Sequence, residues 1–309
     1  MKKLQSAQLP DMVEKISLGK RIYKSRVSYL LIMPFMAGFI LFIVLPVLAA
    51  FLLSFTDYNM LQTPSWVGMG NFRRLFLADD VFLLAAKNTF LLALITGPIS
   101  YFLCFFLAWL VNELPNRVAA IITVILYAPS ISGNSFVIWT WILSGDRYGL
   151  VNGILMKLGV IQEPVQWLTN TKYMLGATIV VQIWLSLGTS FLAHIAGLKN
   201  VDRSMYEAAA IDGLHNRFQE LIYITLPSMK PQLLFAAVLQ ISASFGVGAV
   251  QTALTGNPST DYATHTIIAH ISDYSGTRFE MGYACAMSTL LLLVMLAVNK
   301  LIHKVLKTD

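Results

Sequence analysis

Apolar residues in this chain come in long blocks and do not alternate with polar ones. Six stretches, at about 27–55, 81–111, 118–143, 173–198, 232–250 and 281–302, are apolar almost throughout. Each is close to or beyond the ~20 residues a helix needs to cross a bilayer core of about 30 Å. The pattern predicts an all-α integral membrane protein with six transmembrane helices over residues 28–303. A polar segment, 1–27, precedes the first block and a short tail, 304–309, follows the last. The first block is too long for the apolar core of a cleaved leader, so it is expected to stay as helix 1. Pro34 and Pro46 are expected to kink it.

The polar connections differ from one another. Residues 57–80 carry turn signals at Pro64 and Gly68, with a short interfacial helix expected over 71–77. Residues 112–117, with Pro115, make a tight turn, and 144–172 and 251–280 are longer loops. The connection at 199–231 is of another kind. From Ser204 to Pro231 it reads as two short helices joined at a glycine. Ser204 and Glu207 have the spacing of a capping box, in which each satisfies a backbone donor left open at the helix start. Ala208, Ala209 and Ala210 favour helix and add little bulk. Gly213 suits a left-handed stop, where a Cβ is penalised. A second helix is expected over 216–225, and Pro227 and Pro231 are expected to break the chain before the fifth block. The product is a small-surfaced helical knuckle, a shape that fits a partner's groove.

Composition agrees with a membrane protein. Of 309 residues, 56% are hydrophobic and 12% charged, against roughly 25% charged in soluble domains, and mean hydropathy is +0.65. Cys104 and Cys285 both lie inside apolar blocks and read as small buried hydrophobes. The net charge is +6, and its placement matters more than its sum. Of the 22 Lys and Arg residues, 15 fall on the side of the two termini, the 112–117 turn and the knuckle. The positive-inside rule therefore puts both termini and the knuckle in the cytoplasm.

Several chemistries are excluded. No GxxxxGK[ST] phosphate loop and no HExxH occurs, and no Ser/His/Asp arrangement is indicated. His265 and His270 are five apart, the wrong spacing for one helical face, so no metal site is expected there. Most acidic residues lie in loops, which argues against a self-powered ion-coupled carrier. Neutral polar groups inside the blocks are more numerous. Asn134, with Ser130, Ser132 and Ser135, interrupts helix 3 after Pro129. Gln182 and Ser186 lie in helix 4, and Gln240, Ser242 and Ser244 in helix 5, with Trp139, Trp141, Trp184 and Phe245 as aromatic neighbours. Hydrogen-bonding groups beside flat apolar rings are what a sugar's hydroxyls and C–H faces require. The plainer role for any one of them is to hold helices together. As a set, Asn134, Trp139, Gln182, Trp184, Gln240, Ser244 and Phe245 are the candidates for a substrate pathway.

Glu207-Ala208-Ala209, Gly213, Ile224 and Leu226-Pro227 resemble the EAA signature in the membrane-spanning subunits of bacterial ABC importers. Ten residues separate Gly213 from Ile224, where the usual pattern has nine. The resemblance reaches over about 28–303 through Phe55-Thr56-Asp57-Tyr58, Val67-Gly68, Asn71-Phe72, Asn88-Thr89, the stretch from Ala128-Pro129 to Trp141, Gly149-Leu150-Val151-Asn152, Leu158-Gly159 and Trp167-Leu168. These are similar to the carbohydrate branch, the maltose- and oligosaccharide-type permeases. The resemblance implies a bacterial cytoplasmic-membrane permease subunit that imports a sugar or oligosaccharide by alternating access. It implies a second, paralogous permease, a dimer of cytoplasmic ATP-binding subunits and an extracytoplasmic solute-binding protein as partners. ATP and magnesium would sit on the ATPase, with no cofactor, metal or nucleic acid on this chain. Glu207, Ala208, Ala209 and Gly213 would couple to the ATPase, and Leu226-Pro227 would tie the knuckle to helix 5. Two alternatives remain open: the same machine with another cargo, such as glycerol phosphate or an amino acid, and a stand-alone channel or secondary carrier.

Overall fold

In the computed structural model of the protein, residues 25–306 are described, so most of the basic segment 1–27 and the last three residues lie outside them. The chain divides into two compact units, 1–49 and 50–309. The described part of the first belongs to helix α1 (Arg26–Leu53). Pro34 is accommodated within α1, and a π-turn at Ile40–Val44 precedes Pro46. A wider turn there gives room to a ring that lacks an N–H and crowds the carbonyl four residues back.

The second unit is helical, and among the described residues the sole β pairing is an isolated bridge between Thr56 and Trp66. Its elements are α2 (Gly70–Leu77), α3 (Asp80–Asn112), α4 (Asn116–Ile131), α5 (Val137–Ile142), α6 (Leu150–Lys157), α7 (Thr171–Leu185), α8 (Thr189–Lys199), α9 (Arg203–Ile211) and α10, which starts at Arg217–Glu220. Helix α10 widens into a π-turn over Leu221–Thr225 and closes with Leu226–Ser228. Then follow α11 (Lys230–Phe245), α12 (Ala249–Thr255), α13 (Ile267–Gly276) and α14 (Met281–Leu306). Among the described residues, five helices or helix pairs are long and apolar enough to cross a membrane: Arg26–Leu53, Asp80–Asn112, Thr171–Lys199, Lys230–Thr255 and Met281–Lys304. The third apolar block is a shorter apolar helix, α4, followed by α5.

Three of the apolar blocks are broken part-way. Pro129 precedes the break between α4 and α5, where Ser132 is extended. The Ser135 hydroxyl lies 2.6 Å from the Pro129 carbonyl and 3.0 Å from that of Ser132, serving backbone groups the break releases. Between α7 and α8 the Ser186 hydroxyl donates to the Gln182 carbonyl (2.7 Å). Between α11 and α12 the chain leaves the helix over Gly246, Val247 and Gly248.

The breaks coincide with a division of the apolar core. On the knuckle side of them, Cys104, Ala108, Val111, Ala119, Phe191, Leu198 and Met229 form one cluster joining α3, α4, α8 and the start of α11. On the far side, Leu143, Ala177, Val181 and Leu254 form another, with Phe136, Trp139, Trp167 and Val250 packed around them. A third joins α2, α3, α11, α13 and α14 through Leu75, Phe82, Phe245, Ile267, Tyr283 and Met287.

Candidate functional site

The knuckle is built from α9 and α10. Asp202, not Ser204, caps α9: its carboxylate accepts from the Ser204 N–H at 3.0 Å. That bond also holds the Asp202 carboxyl below its usual range. The expected Ser204–Glu207 box therefore does not form, because the helix starts two residues upstream, and Glu207 sits past the first turn with its side chain exposed. Ala208, Ala210 and Ile211 are exposed as well, whereas Ala209 is buried. Gly213 has φ +92, and a Cβ built on it would meet nothing within 4 Å. Its conformation, not crowding within this chain, is what calls for glycine. Asn216 caps α10 by accepting from the Phe218 N–H at 3.0 Å. No long break follows Pro227. Pro227 and Pro231 occupy early positions in Leu226–Ser228 and α11, where a missing N–H is tolerated, and Met229 alone separates the two helices.

Behind α9 lies a cavity of 640 Å³ lined by Asn112, Glu113, Lys199, Arg203, Tyr206, Glu207, Arg217 and Glu220, among others. The Arg217 guanidinium donates to Glu220 at 3.0 Å and lies 3.5 Å from Glu113 at the end of α3. First Glu220 and then Glu113 favour its charged form. Exposed pairs of this kind contribute at most about 1 kcal/mol. A part-buried contact also spans the knuckle: the Tyr206 and Thr225 hydroxyls are 2.8 Å apart.

The seven pathway candidates separate into three places. Asn134 is exposed at the α4–α5 break, as are Ser130 and Ser132. Trp139 and Trp184 meet edge to face with centroids 5.6 Å apart, and Gln182 is half-buried on the same helix as Trp184. Trp139 Nε1 and Gln182 Oε1 are buried without a hydrogen-bond partner among the described residues. Gln240, Ser244 and Phe245 are buried instead, at 3%, 3% and 6% exposure, beside an apolar groove of 350 Å³ between α3, α11 and α14. Thr189 at the start of α8 is exposed at its own break, a group the sequence reading passed over. The α4–α5 and α7–α8 breaks adjoin: a Cβ on Gly188 would lie 3.0 Å from that of Ser130.

At the end of the helices away from the knuckle, buried amides and a carboxylate organise the loops. Asn71 donates to the Ser54 and Thr56 carbonyls (2.9 and 2.8 Å). Gly282 permits close approach here, since a Cβ would lie 2.0 Å from the Thr56 carbonyl oxygen. Asn88 donates to the carbonyls of Tyr262 and His265 (3.1 and 3.0 Å), and Thr89 accepts from the Ile267 N–H (2.9 Å). Asn152, fully buried, reaches the carbonyls of Ser144, Asp146 and Val165 and accepts from the Val165 N–H and Trp167 Nε1. The Asp79 carboxylate caps α3 and accepts from the Tyr283 hydroxyl (2.7 Å) and His270 Nε2 (3.1 Å). Burial raises the Asp79 pKa, but these hydrogen bonds outweigh it and leave the carboxyl below its ordinary value. His270 Nδ1 is 3.0 Å from His265 Nε2. A five-residue spacing does not share one helical face, yet the two rings meet because His265 lies in the loop before α13. Burial first, and the neighbouring His270 second, push His265 down to about 4.

Two groups had a signal in the sequence that was not used. His194 is a lone histidine in an apolar block; it is fully buried in α8, with the rings of Tyr101 and Phe105 edge-on at 5.1 and 5.5 Å. Asp79 directly precedes an apolar helix, the position of a capping residue.

The fold and these motifs define a multi-pass membrane transport subunit. Residues 100–307 match the family described as the inner membrane component of binding-protein-dependent transport systems, and the chain belongs to that family. It is 32% identical over 283 residues to the probable ABC transporter permease protein YesP of Bacillus subtilis, covering 90% of this chain and 89% of that one. It is 28% identical over 276 residues to the trehalose/maltose transport system permease protein MalF of Thermococcus litoralis, covering 88% and 91%. Its fold is that of a chain in the crystal structure of a bacterial ABC transporter that imports the acidic polysaccharide alginate, with TM-score 0.73, 23% identity and coverage of 94% and 99%.

Proposed function

We infer that this chain is one permease subunit of an ATP-driven importer and moves a neutral sugar or oligosaccharide across the cytoplasmic membrane by alternating access. Relatives named for arabinooligosaccharide, lactose and trehalose/maltose transport support a carbohydrate cargo. The observation that carries the reading is the character of the helix breaks. Ser130, Ser132, Asn134, Thr189 and Ser242 are exposed at or beside them, inside apolar stretches. The Ser130 and Ser242 hydroxyls turn back onto the Tyr127 and Val238 carbonyls, whereas Ser132, Asn134 and Thr189 at that depth are unfavourable against lipid and find their partners in a wet pathway or a neighbouring subunit. All five are uncharged, which suits hydroxyl-bearing cargo and leaves a phosphate without a counter-charge.

In this reading α4 and α5 together form the sixth span, so both termini and the knuckle share one side. The basic residues on that side favour the cytoplasm. The exposed face of α9, from Glu207 to Ile211, and Gly213 then meet a groove on a partner ATP-binding subunit, which supplies the energy. This chain itself is non-catalytic and binds no cofactor. A second permease completes the pathway, and a solute-binding protein delivers cargo to the loop end.

Co-purification tests this. A C-terminally tagged chain, solubilised gently, is expected to bring down a second permease and an ATP-binding subunit. The accompanying binding protein is then screened against neutral sugars and sugar phosphates. Recovery of this chain alone across several mild detergents would overturn the reading in favour of a stand-alone carrier.

A further inference from the structure

We propose that the hydroxyl pair Tyr206–Thr225 is the positioning contact that passes movement of α9 on to α11; the proposal rests on the coupling reading above. Thr225 lies in the π-turn of α10 and is 3% exposed. Its hydroxyl is 3.2 Å from the Glu220 carbonyl and 2.8 Å from the Tyr206 hydroxyl. A carbonyl can only accept, so the single Thr225 proton goes to Glu220 and Tyr206 donates to Thr225. One buried oxygen thus fastens α9 to α10 and closes the wide turn across which α10 would otherwise bend. From Thr225 the chain enters Leu226–Ser228, passes the fully buried Met229 and continues as α11.

Other ties between α9 and α10 are weaker. The Leu214 N–H to Ala209 carbonyl bond (2.9 Å) closes the turn after α9 and does not reach α10. The Ser228 hydroxyl meets Met205 Sδ at 3.7 Å on the surface. Arg217 pairs with Glu113 and Glu220, not with α9. Without the Tyr206–Thr225 bond, α9 would be free to turn about Gly213 without moving α11. A docked ATP-binding subunit would then hydrolyse ATP with less transport to show for it.

The test uses the complete transporter in vesicles, with its ATP-binding subunits, second permease and binding protein, and reads cargo moved per ATP hydrolysed. Tyr206→Phe removes the hydroxyl and keeps the ring. It is expected to lower that ratio about fivefold, the factor that goes with one hydrogen bond, while assembly and ATP hydrolysis persist. Thr225→Val is expected to do the same, Thr225→Ser to keep the normal ratio, and the double variant Tyr206→Phe/Thr225→Val to be no worse than either single one. An unchanged ratio in Tyr206→Phe would overturn the proposal. So would a Thr225→Ser variant as defective as Thr225→Val, since the methyl group and not the hydroxyl would then matter. If the wild-type preparation contains no ATP-binding subunit, the coupling reading itself fails, and this proposal with it.

Discussion

Substitution of Gly213 separates two reasons for a glycine. Its φ of +92 is a left-handed conformation, and a side chain there costs about 1–2 kcal/mol, less for Asn and Asp than for Ala. Within this chain there is no further penalty, because a Cβ at Gly213 meets nothing within 4 Å. Backbone conformation alone therefore ranks Gly213→Ala as the worse substitution and Gly213→Asn as the milder one. Docking against a partner ranks them the other way, since Asn carries the larger side chain into the contact. The account predicts that all variants reach the membrane with small changes in thermal stability. Gly213→Asp is expected to abolish uptake. Gly213→Asn is expected to lose uptake by at least about tenfold, equivalent to about 1.4 kcal/mol, and Gly213→Ala to lose less. The assay is uptake of labelled cargo beside a melting curve of each purified variant. Near-normal uptake by Gly213→Asn, with Gly213→Ala the more impaired, would refute the docking role.

Two further predictions concern the end away from the knuckle. Asn152→Ala leaves the part-buried Val165 N–H and Trp167 Nε1 without their acceptor, at up to about 1 kcal/mol for each; trypsin should then cut at Arg147 and Lys157 faster than in wild type, and equal rates would count against Asn152 as the organiser of that loop. Because burial holds His265 near 4, below the ~6.5 of an ordinary histidine, its neutral form adds stability above pH 6.5 that is lost as pH falls towards 4, on the order of 2 kcal/mol. Melting temperatures at pH 7.5 and 4.5 should therefore diverge more in wild type than in His265→Gln, and identical divergence would remove His265 as the cause.

Much of the architecture was legible in the chain because membrane helices announce themselves by length and apolarity. The break near Asn134 carried its own signal in Pro129 and the serines around it. The breaks at 186–188 and 246–248 did not, because Leu187 and Val247 keep the run apolar and glycine is tolerated in such helices. Gly213 was readable as a stop from residue type alone, whereas the cap of α9 was not. Asp202 and Ser204 are both good capping residues, and the choice between them rests on where the preceding turn ends. Asn88 and Asp79 act across long sequence separations, 174 and 177 residues for Asn88 and up to 204 for Asp79 and Tyr283, which no local pattern reports. The same limit applies to Gln240, Ser244 and Phe245. Their positions on an apolar helix were clear, but which face turns towards its neighbours depends on how α3 and α14 pack against α11.

The most direct test of the central claim is a cross-link from the knuckle. Ile211 is 87% exposed on α9, and Tyr148, at the other end of the helices, is 89% exposed. Each is replaced singly by cysteine, labelled with a photo-activated cross-linker in membranes and illuminated. The account predicts that Ile211→Cys captures the ATP-binding subunit and Tyr148→Cys does not. Capture of that subunit from Tyr148→Cys, with none from Ile211→Cys, would contradict it.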